Sequence, residues 1–215
     1  MTTDRIRRNL ITGFAGLLLA GPAHAMRRLV PTPQQTTGPF YPEEPPLDDD
    51  NDLTRIHGRA GVARGRITDL SGRILDPNGQ PLPGMRVEIW QCDATGRYHH
   101  PRDRGTTIDQ DFQGFGHTRT DSEGNYRFRT IRPVPYPGRT PHIHIAVFAA
   151  DAPPFVTQLY VRDEPRNAQD FIFNHIPGER RHLVVADFLP APRGDAELKA
   201  NFDIVLAGAS GTPQA

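Results

Sequence analysis

The stretch Pro135-Tyr136-Pro137-Gly138-Arg139-Thr140-Pro141-His142-Ile143-His144-Ile145-Ala146-Val147 joins a proline-punctuated loop to a strand. From His142 onward, Ile143, Ile145 and Val147 alternate with His142, His144 and Ala146, the period-two pattern of a strand whose successive side chains point to opposite faces. The branched residues therefore share one face and both histidines the other. Two imidazoles fixed two residues apart on a rigid strand form half of a metal site. Spacing alone equally suits two histidines on a solvated sheet face. Tyr136 and Arg139 stand just upstream, on a loop able to fold back over the histidines.

The flanking sequence repeats the strand-and-turn pattern. Strands are expected at 65–70 and 73–75, then at 86–92 after the turn Asp76-Pro77-Asn78-Gly79. A hairpin is expected from 116–120 and 125–130 around Asp121-Ser122-Glu123-Gly124, with later strands at 157–161, 182–188 and 202–206. A short helix is expected at 166–174. Short strands with a turn signal every ten or so residues point to an all-β chain folded as a β-sandwich with a few short helices. The proline-rich run Thr32-Pro33-Gln34-Gln35-Thr36-Thr37-Gly38-Pro39-Phe40-Tyr41-Pro42 suits neither a helix nor a central strand and reads as an extended N-terminal arm. The acidic residues that follow read as a solvated loop.

Of the 215 residues, 20 are Gly and 22 are Pro, and 36% are hydrophobic, as suits a turn-rich β domain. Lys plus Arg equals Asp plus Glu at 25 each, so bulk charge gives no reason to expect a nucleic-acid or anionic-membrane partner. The single cysteine, Cys92, excludes an intramolecular disulfide and reads as a small buried hydrophobe. Residues 1–25 read as an export signal: Arg5, Arg7 and Arg8, then an apolar core from Leu10 to Ala20, then Ala23-His24-Ala25. That core is too short for a stable membrane anchor. Arg7-Arg8-Asn9-Leu10-Ile11 also resembles a twin-arginine signal. The expectation is a periplasmic or extracellular protein. It is divided into this signal, an arm over 26–60, a sandwich domain over 61–208 and a flexible tail over 209–215.

Nine histidines and five tyrosines supply the candidate ligands. Tyr98 and Tyr136 lie outside any core pattern, one at a strand-end turn and the other between two prolines. A phenol has a pKa near 10, so it ligates as an anion only against a strong Lewis acid, and hard ferric iron suits phenolate oxygen. Tyr126 alternates with Phe128 and reads as core, and Tyr160 reads as structural. His99 and His100 read as surface residues. A cupin would place a glutamate shortly after His-x-His, but no glutamate occurs before Glu164.

Several ordered blocks, taken together, resemble the intradiol ring-cleavage dioxygenases, in particular the iron-bearing subunit type of protocatechuate 3,4-dioxygenase. They are residues 32–40; Val87-Glu88-Ile89-Trp90-Gln91-Cys92-Asp93 running into Gly96-Arg97-Tyr98; Phe112-Gln113-Gly114-Phe115-Gly116; and Thr120-Asp121 with Gly124 to Phe128. Thr130-Ile131-Arg132-Pro133 with Pro135-Tyr136-Pro137, Arg139 before Pro141-His142-Ile143-His144, and Thr157-Gln158-Leu159-Tyr160 complete the series. The resemblance implies an intradiol-type β-sandwich holding a non-haem Fe(III) through Tyr98, Tyr136, His142 and His144. It implies Arg139 as charge stabiliser, Gln158 as its support, and Tyr136 as a ligand that leaves to accept a substrate proton. The implied partners are a catechol-type substrate and O2, and the implied product is a cis,cis-muconate-type diacid.

Two departures qualify it. The Tyr136–Arg139 loop is shorter than in protocatechuate enzymes, with Gly138 where an aromatic residue is expected, so the ring substituents of the substrate stay open. No helical domain of the kind through which catechol 1,2-dioxygenases dimerise is apparent, which leaves the arrangement of a homo-oligomer open as well. The competing class is a non-catalytic, transthyretin-like binding module. Such a module gives no reason to bring Tyr98, Tyr136, His142 and His144 together.

Overall fold

In the computed structural model, residues 28–208 are described, apart from positions 45, 47, 106, 150, 151 and 193. The expected signal at 1–25 and tail at 209–215 lie outside the described residues. Ten strands are present among the described residues: β1 (Ile67–Leu75), β2 (Arg86–Trp90), β3 (Phe115–Arg119), β4 (Asn125–Ile131), β5 (His142–Phe148), β6 (Phe155–Val161), β7 (Val185–Ala186), β8 (Leu189–Pro190), β9 (Leu198–Asn201) and β10 (Ile204–Val205). They form two sheets. In one, β1 is the hub: it pairs antiparallel with β4 and parallel with β9 and β10. The other runs β3-β2-β5-β6-β7, with the histidine strand β5 at its centre.

Alternation decides what the second sheet faces. Ile143, Ile145 and Val147 of β5, with Val87 and Ile89 of β2 and Leu159 of β6, pack against Leu70, Ile74, Phe128 and Ile131 of the first sheet. This inter-sheet core is the main source of hydrophobic stabilisation. The opposite face of β5 carries His142, His144 and Ala146, and it too is buried. A solvated histidine face is therefore not what forms. Cys92 is buried there beside Trp90, Tyr98 and Phe115. Tyr126 is core as expected, its hydroxyl donating to the Phe202 carbonyl at 2.5 Å.

The cover on that face is the arm. Its prolines remove backbone donors, so it docks through isolated hydrogen bonds instead of a ladder. Thr32 N–H donates to the Val205 carbonyl at 3.0 Å and Gln35 N–H to the Val156 carbonyl at 2.8 Å. Phe40 and Tyr41 then pack onto the Trp90–Tyr98 cluster.

Four expectations need correction. The strands expected at 65–70 and 73–75 are one continuous strand, β1, because β4 pairs with it without a break from Ile67 to Arg73. The single helix expected at 166–174 is two pieces, a 3-10 turn at Pro165–Gln169 and α1 (Phe171–His175). Asp170, with extended backbone, ends the first and caps the second by accepting from Phe173 N–H at 2.9 Å. Of the strand expected at 182–188, only Val185 and Ala186 pair with β6, while His182 to Val184 end a 3-10 helix, Gly178–Val184. Arg181 holds that turn by donating to the Ile176 and Asn174 carbonyls at 2.9 and 3.0 Å, at the C-terminal end of α1. His100, expected at the surface, is buried against the edge of Phe40, while His99 is exposed. Among the described residues no helix is long and apolar enough to cross a membrane.

Candidate metal centre

Cross-strand register lays out the site. On the buried outer face, Trp90 of β2 stands opposite His144 of β5, His144 opposite Gln158 of β6, and His142 opposite Tyr160. Directly opposed residues share a face, so register alone gathers Trp90, His142, His144, Gln158 and Tyr160. The two imidazole Nε2 atoms lie 3.2 Å apart. His142 Nδ1 donates to the Thr140 carbonyl at 2.6 Å, which fixes its tautomer and leaves the Nε2 lone pair facing the site.

The tyrosines arrive on loops. Tyr98 follows a turn organised by the buried Asp93 carboxylate, which accepts from Thr95 N–H at 2.7 Å and Arg97 N–H at 3.1 Å. Asp103 then fixes the Tyr98 backbone, accepting its N–H at 2.8 Å. Gly96 makes the approach of the two loops feasible: its φ is +78°, and a Cβ there would lie 2.9 Å from the Pro135 carbonyl oxygen. Tyr98 and Tyr136 meet edge to face at 5.5 Å between centroids, and Tyr136 lies 5.5 Å from the His142 ring. Tyr98 is 6.5 Å from the His144 ring.

Burial dominates the protonation states. It pushes the Tyr98 phenol well above its ordinary value, with the neighbouring Cys92 and Tyr136 groups adding to the shift. It raises Tyr136 as well, partly offset by the Arg139 charge. Burial and then Arg139 push His142 down to about 3, and burial and then His142 push His144 well below the usual imidazole range. The four groups are neutral as they stand.

These residues fit a metal ion. The Tyr98 hydroxyl and His144 Nδ1 are buried without a hydrogen-bond partner, a costly arrangement for polar atoms. The two Nε2 atoms point at each other with at most one proton between them, and a cation would satisfy both. Among the described residues no three His, Cys, Asp or Glu side chains group as ligands, so a metal here depends on the tyrosines. A set of two imidazoles and two phenols is harder than zinc's thiolate sites and suits a trivalent ion.

Arg139 is buried beside the ligands. Its Nε donates to Asp170 Oδ2 at 2.8 Å, one Nη to Gln158 Oε1 at 2.6 Å, and the other Nη to the Tyr136 hydroxyl at 3.4 Å. Desolvation works against the guanidinium charge, but the Asp170 carboxylate outweighs it and the cation is retained. Gln158 is held in turn, its Nε2 donating to the Thr36 carbonyl of the arm at 3.1 Å. The Tyr160 hydroxyl sits between Gln158 Oε1 at 3.0 Å and Gln35 Oε1 at 2.7 Å. Tyr160 is thus structural in a specific sense, supporting the residue that supports Arg139.

Every sequence-derived site residue lands in this one cluster: Tyr98, Tyr136, Arg139, His142, His144 and Gln158. Asp170, Trp90 and Phe40 are members that sequence reasoning missed. Asp170 carries a helix-capping signal but nothing local ties it to Arg139. Trp90 and Phe40 stand in quoted blocks without a role. A cleft of about 420 Å³ opens beside the cluster, lined by Tyr136, Pro137, Gly138, Arg139, Arg166, Gln169 and Asp170 among others. Tyr136 is partly exposed and lines it, whereas Tyr98 is sealed beneath Phe40, whose ring stacks on it at 4.6 Å.

Known proteins resemble this chain in sequence and in fold. The family model described as "Dioxygenase" matches residues 36–208. The chain is 36% identical over 203 residues to the protocatechuate 3,4-dioxygenase beta chain of Burkholderia cepacia, covering 90% of this chain and 86% of the relative. It is 30% identical over 199 residues to the hydroxyquinol 1,2-dioxygenase of Corynebacterium glutamicum, covering 79% of this chain but only 62% of that relative's length. Among solved structures, the dioxygenase domain of a dioxygenase carbohydrate-binding protein fusion from Streptomyces sp. SirexAA-E superposes with a TM-score of 0.62 at 28% identity, covering 84% of this chain and 100% of that one.

Proposed function

The chain belongs to the intradiol ring-cleavage dioxygenases, and on that premise we propose that it is a non-haem Fe(III)-dependent enzyme cleaving a catechol-type ring between its two hydroxylated carbons. O2 is the co-substrate and a cis,cis-muconate-type dicarboxylic acid the product. One observation carries the reading: two imidazoles and two phenols, all neutral and buried or half-buried, converge beside a buried arginine. A binding module has no use for that set.

Tyr98, Tyr136, His142 and His144 would hold the ion. When bound, it supplies the Lewis acidity that ionises the phenols and draws electron density from a catecholate toward itself. The chain's own residues divide the remaining work. Tyr136, the phenol open to the cleft, is placed to take a proton at its Oη from an incoming catechol hydroxyl. Tyr98, sealed under Phe40, stays in place. Arg139 presents a fixed cation to negative charge that develops on the ring and its oxygens, where low dielectric strengthens the interaction. Asp170 and Gln158 hold the guanidinium in that position before substrate arrives. Phe40 and the arm keep bulk water from the ligand side.

The test is direct. Protein reconstituted with ferric ion should turn red to burgundy from tyrosinate charge transfer, and catechol added without O2 should change that colour. With O2 present, oxygen uptake should accompany a ring-opened diacid that carries both atoms of one O2. A colourless, iron-free protein that consumes no O2 with catechol, protocatechuate, hydroxyquinol or larger lignin-derived catechols would sink the reading.

A further inference from the structure

His142 and His144 share a strand face but are held by different means. A metal-ligating histidine ordinarily donates its second ring N–H to a carbonyl or carboxylate, which fixes both tautomer and ring angle. His142 does so through Thr140. The Nδ1 of His144 is buried and has no partner. The ring torsion of histidine is intrinsically broad, so without that hydrogen bond its Nε2 needs another constraint.

Carbon supplies it. The Trp90 indole lies parallel to the His144 ring, 4.8 Å between centroids and 7° between planes, directly across the β2–β5 ladder. The backbone of Gly38 closes on the Cε1–Nε2 side of the same ring. A Cβ at Gly38 would stand 3.3 Å from Cε1 and 3.7 Å from Nε2, tighter than ordinary contact at the first atom, and φ there is +71°. Trp90 is itself braced by the arm. The Tyr41 ring meets it edge-on at 5.0 Å, and the Tyr41 hydroxyl donates to Glu88 Oε2 at 2.8 Å.

We propose that Trp90 and Gly38 are positioning residues that orient the His144 imidazole as a metal ligand by ring packing, in place of the hydrogen bond that orients His142. The inference rests on the assignment of His144 as a ligand, but the packing itself is testable without metal. The arm segment carrying Gly38 and Tyr41 thereby becomes part of the metal centre, through the close approach of Gly38 to the His144 ring and through Tyr41 relayed by Trp90. A backbone with a side chain at position 38 would press on the very edge that carries the ligating nitrogen.

The experiment uses the full chain in Trp90→Phe, Trp90→Leu and Gly38→Ala forms, with Gly58→Ala as control. Gly58 has a comparable φ of +79° but nothing within 4 Å of an added Cβ, so it reproduces the backbone strain without the contact. In the metal-free protein, the His144 ring protons should resonate upfield under the Trp90 ring. Trp90→Leu should abolish that shift, Trp90→Phe retain part of it, and Gly38→Ala move the His144 signals more than Gly58→Ala does. Ferric affinity, read by chelator competition, should fall about ten-fold or more for Trp90→Leu and Gly38→Ala and less for Trp90→Phe. The proposal is overturned if His144 signals and ferric affinity respond to Gly38→Ala no more than to Gly58→Ala, a comparison that stands even where Trp90→Leu fails to fold. If the signals respond while the unaltered protein takes up no ferric ion, the packing is upheld and the ligand assignment fails instead.

Discussion

Arg139 Nε lies 2.8 Å from Asp170 Oδ2, with the two side chains only 7% and 0% exposed. The same carboxylate accepts Thr140 N–H at 2.9 Å and caps α1 through Phe173 N–H. One side chain therefore ties the cation of the site, the loop before the histidine strand and a helix terminus together. Removing one partner of a buried ion pair strands the other charge and costs about 3–5 kcal/mol.

Asp170→Asn should accordingly destabilise the fold by about that amount at neutral pH, read by urea unfolding. Burial alone would raise the Asp170 carboxyl, but the Arg139 hydrogen bond and the Phe173 and Thr140 N–H groups outweigh it and hold it below the ordinary carboxylate value. The sign follows from linkage. A depressed folded-state pKa contributes stability that is full above the unfolded value, near 3.9, and disappears as pH falls through the folded value. The gap between Asp170→Asn and the unaltered protein should narrow as pH drops below about 4. A gap that is constant down to acid pH would mean that the carboxylate charge is not what matters.

Tyrosines in the site and in the core should respond in opposite ways. Tyr136→Phe removes a proposed ligand oxygen, so the ferric colour should weaken and substrate turnover fall while stability changes little. Tyr126→Phe removes a buried hydroxyl that donates to the Phe202 carbonyl, so stability should drop by about 1 kcal/mol with the colour intact. Visible spectra and thermal unfolding of both variants check the pair. Equal loss of colour in the two would show the ligand tyrosines to be wrongly assigned.

The histidine strand was legible because its signal is local: alternation over seven residues of β5 placed three aliphatics on one face and two imidazoles on the other. Its surroundings were not, because burial of the outer face depends on an arm more than a hundred positions away, bound through contacts such as Gln35 Nε2 to Thr157 Oγ1 at 3.1 Å. His100 was misplaced for the same reason, since its cover is Phe40 of that arm. The four proposed ligands were reached through ordered blocks of resemblance; the sheet register then accounts for the two histidines, and loops bring the two tyrosines to them. Asp170 escaped notice because its partner lies 31 positions back and no periodicity connects them. The short strands β7 to β10 are paired for only two to four residues, too few for alternation to show.

Arg139→Gln keeps some hydrogen-bonding capacity but deletes the fixed cation. Losing a preorganised charge-stabilising donor costs about 100-fold or more in kcat, and KM should change much less because all four proposed ligand side chains are retained. Gln158→Leu should lower kcat in the same direction by a smaller factor, since it frees only one of the guanidinium's contacts. Steady-state oxygen uptake on both variants separates the effects. A KM defect with unchanged kcat would assign Arg139 to binding rather than to charge stabilisation.

Arg166 lines the cleft beside Tyr136 and Gly138 and makes no ion pair with any described residue. The other cation of the cleft, Arg139, is already matched by Asp170, so Arg166 leaves the cleft one positive charge in excess. An exposed pairing is worth up to about 1 kcal/mol, or roughly five-fold in affinity. Arg166→Gln should therefore raise KM about five-fold for a catechol bearing a ring carboxylate and leave KM for unsubstituted catechol within error. The difference should shrink at high ionic strength, where exposed charges are screened. Oxygen-uptake kinetics with catechol and protocatechuate at low and high salt measure this, and a parallel rise for both substrates would remove Arg166 from substituent recognition.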